Sequence, residues 1–476
     1  MINQLCNFFQ RKVQIIFHLS LLLVFPISLY SQNWSYDTLS EKKESMNVAV
    51  NGNKIFFHSG SKKVGSSQVR VDKIDIFDIQ TGIRTTIPLP EGSPARTRAA
   101  TAVVGNKVLF AGGNMGGATN WVDMYDTITG TWTSSQLSLD RSSLVGAAAN
   151  GKAFFGGGFS TSINNEAAIV DIYNSTTDKW TSIYFSPAFG RANLTATSLR
   201  NKVFFAGGGI GGFWFNTVMI YDAEANKWLP NATLSQPKDG LTSLTYKNKI
   251  YFIGGTAWNQ STDTTFPSDI IDIYDDATDS WSTMTIPRLM TANYTGNKRA
   301  YIKSAQAGCK MFLVPSMDGN GGIGGMTPGN GDTIAVYDFA RDSWSYLALP
   351  HPRTNVTIAA AKNKVYFAGG SGIEPAEHQD VQRFNHIDIL TLEPKLQLSV
   401  DSTSLAQYDF GPVLTGEEET ITINISNEGN YDLLFEDFPM RIDITGDVED
   451  FTIDAAMLES IDTLAPAEII SLPVTF

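Results

Sequence analysis

The chain has 476 residues, 42% hydrophobic and 11% aromatic, enough for a large core and more than one domain. Its net charge is −13, and from Lys395 to the end 17 acidic residues face 2 basic ones, so the acidity belongs to a C-terminal segment. The basic stripe of a nucleic-acid binder is missing, heptads are absent, and no apolar run after residue 31 is long enough to cross a membrane.

The first 31 residues differ from the rest. Arg11 and Lys12 precede "VQIIFHLSLLLVFPISLY" (13–30), and a polar "SQN" follows. This pattern predicts a secretory signal peptide cleaved near Ser31, in preference to an N-terminal anchor, because Pro26 and the polar residues interrupt the run. The mature chain is then expected to be secreted or on the cell surface, without a transmembrane segment. Of two cysteines only Cys309 would remain, which excludes an internal disulfide.

From residue 53 a motif recurs: "NKIFFHSG" (53–60), "NKVLFAGG" (106–113), "GKAFFGGG" (151–158), "NKVFFAGG" (201–208), "NKIYFIGG" (248–255), "CKMFLVPS" (309–316) and "NKVYFAGG" (363–370). A period near 50 residues points to a propeller or array. The paired glycines include Gly112 and Gly113, Gly207 and Gly208, Gly254 and Gly255, and Gly369 and Gly370. A second motif of the type "VDMYD" follows each. In five repeats a tryptophan stands seven residues after its tyrosine: Tyr125/Trp132, Tyr173/Trp180, Tyr221/Trp228, Tyr274/Trp281 and Tyr337/Trp344. Turn-forming Asp, Asn, Thr or Gly lie between. Eleven residues before every repeat lysine stands another basic residue: Lys43, Arg96, Arg141, Arg191, Lys238, Arg299 and Arg353.

This combination resembles the Kelch repeat over 32–392. The resemblance implies four-stranded antiparallel blades, A to D, set around an axis. The tyrosine and the tryptophan of each repeat are then expected to pack between neighbouring blades, where wide aromatic surfaces fill the wedge. The fold class is therefore expected to be all-β: a seven-bladed Kelch β-propeller with a small C-terminal immunoglobulin-like sandwich. The last blade lacks a D strand of its own. Trp34 lies nine residues before Lys43, as Trp132 does before Arg141, so the N-terminal strand is expected to complete blade 7. Residues 395–476 break the period. The order of "YDFGPV", "ETITINISNEGN" and "PVTF" resembles the Hydin-like immunoglobulin-fold domain.

Chemical candidates follow from this frame. The basic ring, with Arg96, Arg141, Arg191 and Arg353 foremost, has two readings. It could hold an anionic ligand on the face of the B–C and D–A loops, or pack between blades and bond local carbonyls. The loops leaving strand B carry Phe213, Trp214, Phe215, Trp258 and Phe266, with Trp121 where such a loop meets strand C. Aromatics beside Asn and Asp suit a sugar or peptide. His58, His351 and His378 are a weak metal candidate, because no tight ligand spacing supports them. "DGNGGIGGMTPGNGD" (318–332) lacks calcium-loop spacing and reads as a flexible loop.

The leading expectation is a binding or adhesion protein recognising a glycan or extracellular protein, monomeric, with no cofactor and no catalytic residue assigned. The alternative is a secreted carbohydrate-active enzyme, such as a sialic-acid mutarotase or epimerase-like or galactose-oxidase-like Kelch protein. A copper-radical site like that of galactose oxidase needs a cysteine cross-linked to a tyrosine beside histidines. Cys309 falls in an A–B turn, on the opposite face from the histidines.

Overall fold

The computed structural model describes residues 14–18, 33–287 apart from 66, 260 and 263, then 301–316, 333–372, 382–393 and short stretches between 396 and 475. The described residues contain strands and turns and no helix.

The second repeat shows how the sequence makes a sheet. Ala100–Val104 pairs with Lys107–Ala111, which pairs with Thr119–Asp126, which pairs with Thr131–Arg141, all antiparallel. Val108, Leu109, Phe110 and Ala111 are all fully buried, so this second strand has both faces covered and is apolar throughout. The fourth strand has one wet face and alternates. Between the third and fourth, Asp126 Oδ1 accepts from the backbone N–H of Ile128 and Thr129 at 2.9 and 3.1 Å, fixing a tight turn.

Among the described residues, six four-stranded antiparallel sheets and one of five strands follow the repeats. Their innermost strands are Asn47–Asn51, Ala100–Val104, Val145–Ala149, Thr195–Leu199, Thr242–Tyr246, Tyr301–Ala307 and Thr357–Ala361. Each lies against the next, and Thr357–Ala361 lies against Asn47–Asn51, so the sheets follow one another in a cycle. The arrangement is propeller-like. In the last sheet the outermost strand is Asn33–Thr38, paired with His386–Thr391 so that Trp34 stands opposite Leu390.

The tyrosines enter the wedges between sheets. Tyr125 lies 5.1 Å from Phe56 of the preceding sheet, Tyr221 5.6 Å from Phe154 and Tyr274 5.4 Å from Phe204. Tyr173, Tyr221, Tyr274 and Tyr337 are buried.

The tryptophans also reach the wedges, each packing against a core cluster drawn from two neighbouring sheets. Trp132, Trp180, Trp228, Trp281 and Trp344 are only half-buried, as is Trp34. The reason is their place. Each stands on the outermost strand of its sheet, which has neighbours on one side and water on the other. Each therefore acts as a lid over its own tyrosine across the strand pair. Ring centroids are 4.9 Å apart for Tyr125/Trp132, 5.2 Å for Tyr173/Trp180, 5.1 Å for Tyr221/Trp228, 5.3 Å for Tyr274/Trp281 and 5.0 Å for Tyr337/Trp344. The inner edge of the indole also meets the second strand of the same sheet. Trp180 lies 5.9 Å from Phe155, Trp228 6.2 Å from Phe205 and Trp281 5.8 Å from Phe252. Trp228 also meets the preceding repeat, its Nε1 donating to Tyr184 O at 3.0 Å and its ring lying 6.1 Å from Phe185.

The glycines form the joints. Gly112 and Gly113 have φ of +65° and +115°, which side chains rarely adopt. A Cβ on Gly112 would stand 2.5 Å from the Arg141 carbonyl oxygen. The Gly113 N–H donates to that carbonyl at 2.8 Å, tying the end of the second strand to the basic residue that leads into the third repeat. Gly208 repeats the bond to Lys238 O, and Gly370 makes it to Lys43 O at 3.0 Å, joining the last sheet to the first.

Near the C-terminus, Thr403–Ser404, Leu396–Val400, Thr420–Asn427, Ile469–Thr475 and Thr452–Ile453 form one sheet in that order. Ile421, Ile423, Ile425, Ile470, Leu472 and Val474 are buried at alternate positions, as one covered face requires. Gln14–His18 pairs with Gln407–Asp409 and Arg441–Thr445.

Candidate functional site

The basic residue that precedes each repeat is internal. Lys43, Arg96, Arg141, Arg191 and Lys238 are 0% exposed and Arg353 is 2% exposed; Arg299 lies outside the described residues. Five of the six described side chains meet an aspartate two residues before the tyrosine position of the third strand. Lys43 lies 3.0 Å from Asp75, Arg96 2.8 Å from Asp123 and Lys238 2.7 Å from Asp272. Arg141 pairs with Asp171 and Arg353 with Asp388. The guanidinium groups also donate to backbone carbonyls of the second strand: Arg96 Nε to Gly112 O at 2.8 Å and Nη2 to Phe110 O at 3.0 Å. The charges of Arg96, Arg141 and Arg353 are thus spent on internal acids and carbonyls, not displayed to solvent. Each pair is a strut between the start of a sheet and its third strand.

Asp123 is the most heavily used of these acids. Besides Arg96 it accepts from His58 Nε2 at 3.0 Å, Ser93 Oγ at 2.8 Å and Trp121 Nε1 at 2.7 Å. Burial would raise its pKa, but the hydrogen bonds from His58 and Ser93 and the charge of Arg96 outweigh it and hold the carboxyl down to about 2. His58 is fully buried, stacked 4.3 Å from Phe110, and burial pulls its pKa down to about 4 despite Asp123. His351 belongs to a separate cluster, with its Nδ1 2.6 Å from Asp388 and its ring 4.2 Å from His386. A shallow cavity lies there, lined by Tyr36, Asp37, Thr38, Pro350, His351 and His386. His58 and His351 therefore sit in different acid networks, and His378 lies outside the described residues, as does 318–332. No group of three candidate metal ligands is found among the described residues. Cys309 is buried beside Asp338, and burial pushes its thiol up to about 11.

The segments leaving the second strands fold into small hairpins. Gly209–Ile210 pairs with Phe213–Trp214, and Thr256–Asn259 with Thr264–Pro267. The fourth and fifth repeats thereby present aromatic rings together. Phe213 is 63% exposed and meets Trp258 edge to face at 5.8 Å. Trp214 packs over Gly209. Phe215 lies flat over the Arg191 guanidinium at 4.2 Å. Phe189, on the segment that precedes Arg191, stacks on Phe215 at 6.4 Å and is 56% exposed. The expected aromatics thus fall into two groups, Phe213 with Trp258 and Phe215 with Arg191, and the structure adds Phe189 to the second; Trp214 lies on Gly209.

A Kelch motif model matches residues 95–135 and 190–233. The chain carries Kelch repeats. Relatives agree. A Kelch-like protein of Aspergillus terreus, terF, is 25% identical over 224 residues, 44% of this chain and 49% of that protein. Kelch-like protein 25 of Xenopus tropicalis is 26% identical over 294 residues, 59% of this chain and 45% of that protein. Kelch repeat protein M-T8 of Myxoma virus is 29% identical over 189 residues, 38% of this chain and 35% of its own length. The chain therefore spans half or less of the length of each of these Kelch relatives.

Proposed function

We propose that the chain is a secreted or surface Kelch protein, a seven-bladed propeller over 32–392 with an immunoglobulin-like module over 395–476, that binds an extracellular protein through its B–C and D–A loop face. The observation that carries this reading is the exposed Phe213, set against the half-buried Trp258 across the hairpins of repeats 4 and 5, with exposed Phe189 nearby in repeat 4. Large exposed rings grouped on one surface mark interaction sites, and aromatic anchors dominate binding energy. Secretion is supported by the basic-then-apolar N-terminal pattern. The test is selection of a random peptide library and probing of a glycan array with the purified full chain. Peptide enrichment that disappears in the Trp214→Ala/Trp258→Ala variant is expected. Sugar binding with no peptide binding would replace the protein ligand by a glycan.

A further inference from the structure

Five of the described basic residues own an internal aspartate, and Arg191 does not. The residue two before its tyrosine is Met219. Arg191 is 0% exposed, yet its Nε and Nη2 have no hydrogen-bond partner. Only Nη1 reaches an acceptor, Gly207 O, at 3.4 Å. Phe215 at 4.2 Å and Phe185 at 5.8 Å lend their ring faces, which offsets part of the burial of an uncompensated cation. In the third repeat the position of Phe215 is Ala167, and there Asp171 is present. Repeat 4 has thus exchanged an internal acid for an aromatic cover. That cover is thin, because Phe189, stacked on Phe215, is itself exposed.

We propose that the loop face takes an acidic peptide, one Asp or Glu carboxylate of which passes between Phe189 and Phe215 and docks on Nε and Nη2 of Arg191. The proposal rests on reading this face as a protein-binding surface and names the chemistry of its partner. A guanidinium offers parallel N–H donors that match the two oxygens of a carboxylate. In repeat 4 the ligand supplies the acid that Met219 withholds. A Glu side chain carries its carboxylate several bonds from the backbone and reaches a cation one aromatic layer below the surface; a carboxylate fixed directly on a sugar ring does not. The rings of Phe213, Trp214 and Trp258, on the hairpins of repeats 4 and 5, receive the apolar neighbours of the acidic residue.

The experiment selects a phage-displayed random dodecapeptide library on the full chain, its Arg191→Met and Met219→Asp variants, and the Trp214→Ala/Trp258→Ala variant. Wild type is expected to enrich peptides centred on Asp or Glu. Changing that residue to Gln in a selected peptide should weaken binding at least tenfold on wild type and less than twofold on either Arg191→Met or Met219→Asp. These two variants act by opposite chemistry: one removes the cation, the other gives it an internal acid. Melting curves verify that both are folded. Enriched peptides without an acid, or a Gln change costing wild type less than twofold, would overturn the Arg191 dock and leave the peptide-binding face standing. An absence of enriched peptides, or enrichment indifferent to the tryptophan variant, would remove both.

Discussion

Replacing Asp171 with Ala tests the struts directly. Asp171 is 2% exposed and pairs with Arg141, whose Nη1 donates to Phe155 O, Gly157 O and Ile169 O at 3.2, 2.9 and 3.0 Å. Removing the acid strands a fully buried guanidinium, and breaking a buried pair on one side costs about 3–5 kcal/mol. An unfolding entropy of about 2.1 cal/mol/K per residue over ~360 residues gives about 0.75 kcal/mol/K, so Tm should fall by ~4–7 °C. Scanning calorimetry of the full chain reads it. The Arg141→Met/Asp171→Ala variant should recover more than half of the loss, because an apolar replacement of both partners is close to neutral. A single-variant fall below ~1 °C, or a double variant no better than the single, would refute the view that internal acids neutralise the repeat cations.

Further outcomes are expected from other parts of the fold. His58 is buried neutral with its pKa lowered to about 4, so the unfolded chain binds the proton more readily; stability is complete above about 6.5 and declines as pH falls toward 4, by about 3 kcal/mol in all. His58→Gln should flatten that part of a plot of Tm against pH, and an unchanged slope would sink the assignment. Gly370→Ala should destabilise by roughly 2–4 kcal/mol, because its φ is +106° and a Cβ would strike the Thr354 carbonyl; urea melts check it. Deleting Asn33–Thr38 should lower Tm and promote aggregation by baring the His386–Thr391 edge, read by light scattering during a thermal ramp.

Much of the fold was legible because repetition amplifies weak signals. The lysine turn, the glycine pair and the Tyr–Trp spacing each mean little alone, but recur in register with the strands they delimit. The spacing told which tryptophan meets which tyrosine; it did not tell that Trp180, Trp228, Trp281 and Trp344 keep one side in water, since that depends on the strand being the last of its sheet. The glycines could be read as punctuation between strands; that Gly113 also bonds the next repeat's Arg141 needed coordinates. The partner of the basic residues lay in plain view. Asp75, Asp123, Asp171, Asp272 and Asp388 all stand two before the tyrosine position, and Met219 and Ala335 break the series. Correlating that position with the basic residue eleven before the lysine would have exposed both the struts and the exceptions. The cover of Phe189 over Phe215 could not be read, because it joins a D–A segment to a B–C hairpin and neither obeys the repeat period.

The pairing of Trp34 with Leu390 sets a clock on biogenesis. The two strands are separated by roughly 350 residues, and synthesis at ~5–20 residues per second leaves the N-terminal strand waiting some 20–70 s for its neighbour. During that interval the earlier sheets can form, while the last remains incomplete. The segment at 33–38 must stay soluble meanwhile, and its composition suits this: Asn33, Ser35, Asp37 and Thr38 alternate with only two aromatics. Within the array, the last strand pairing to form is thus the one that commits its first residues.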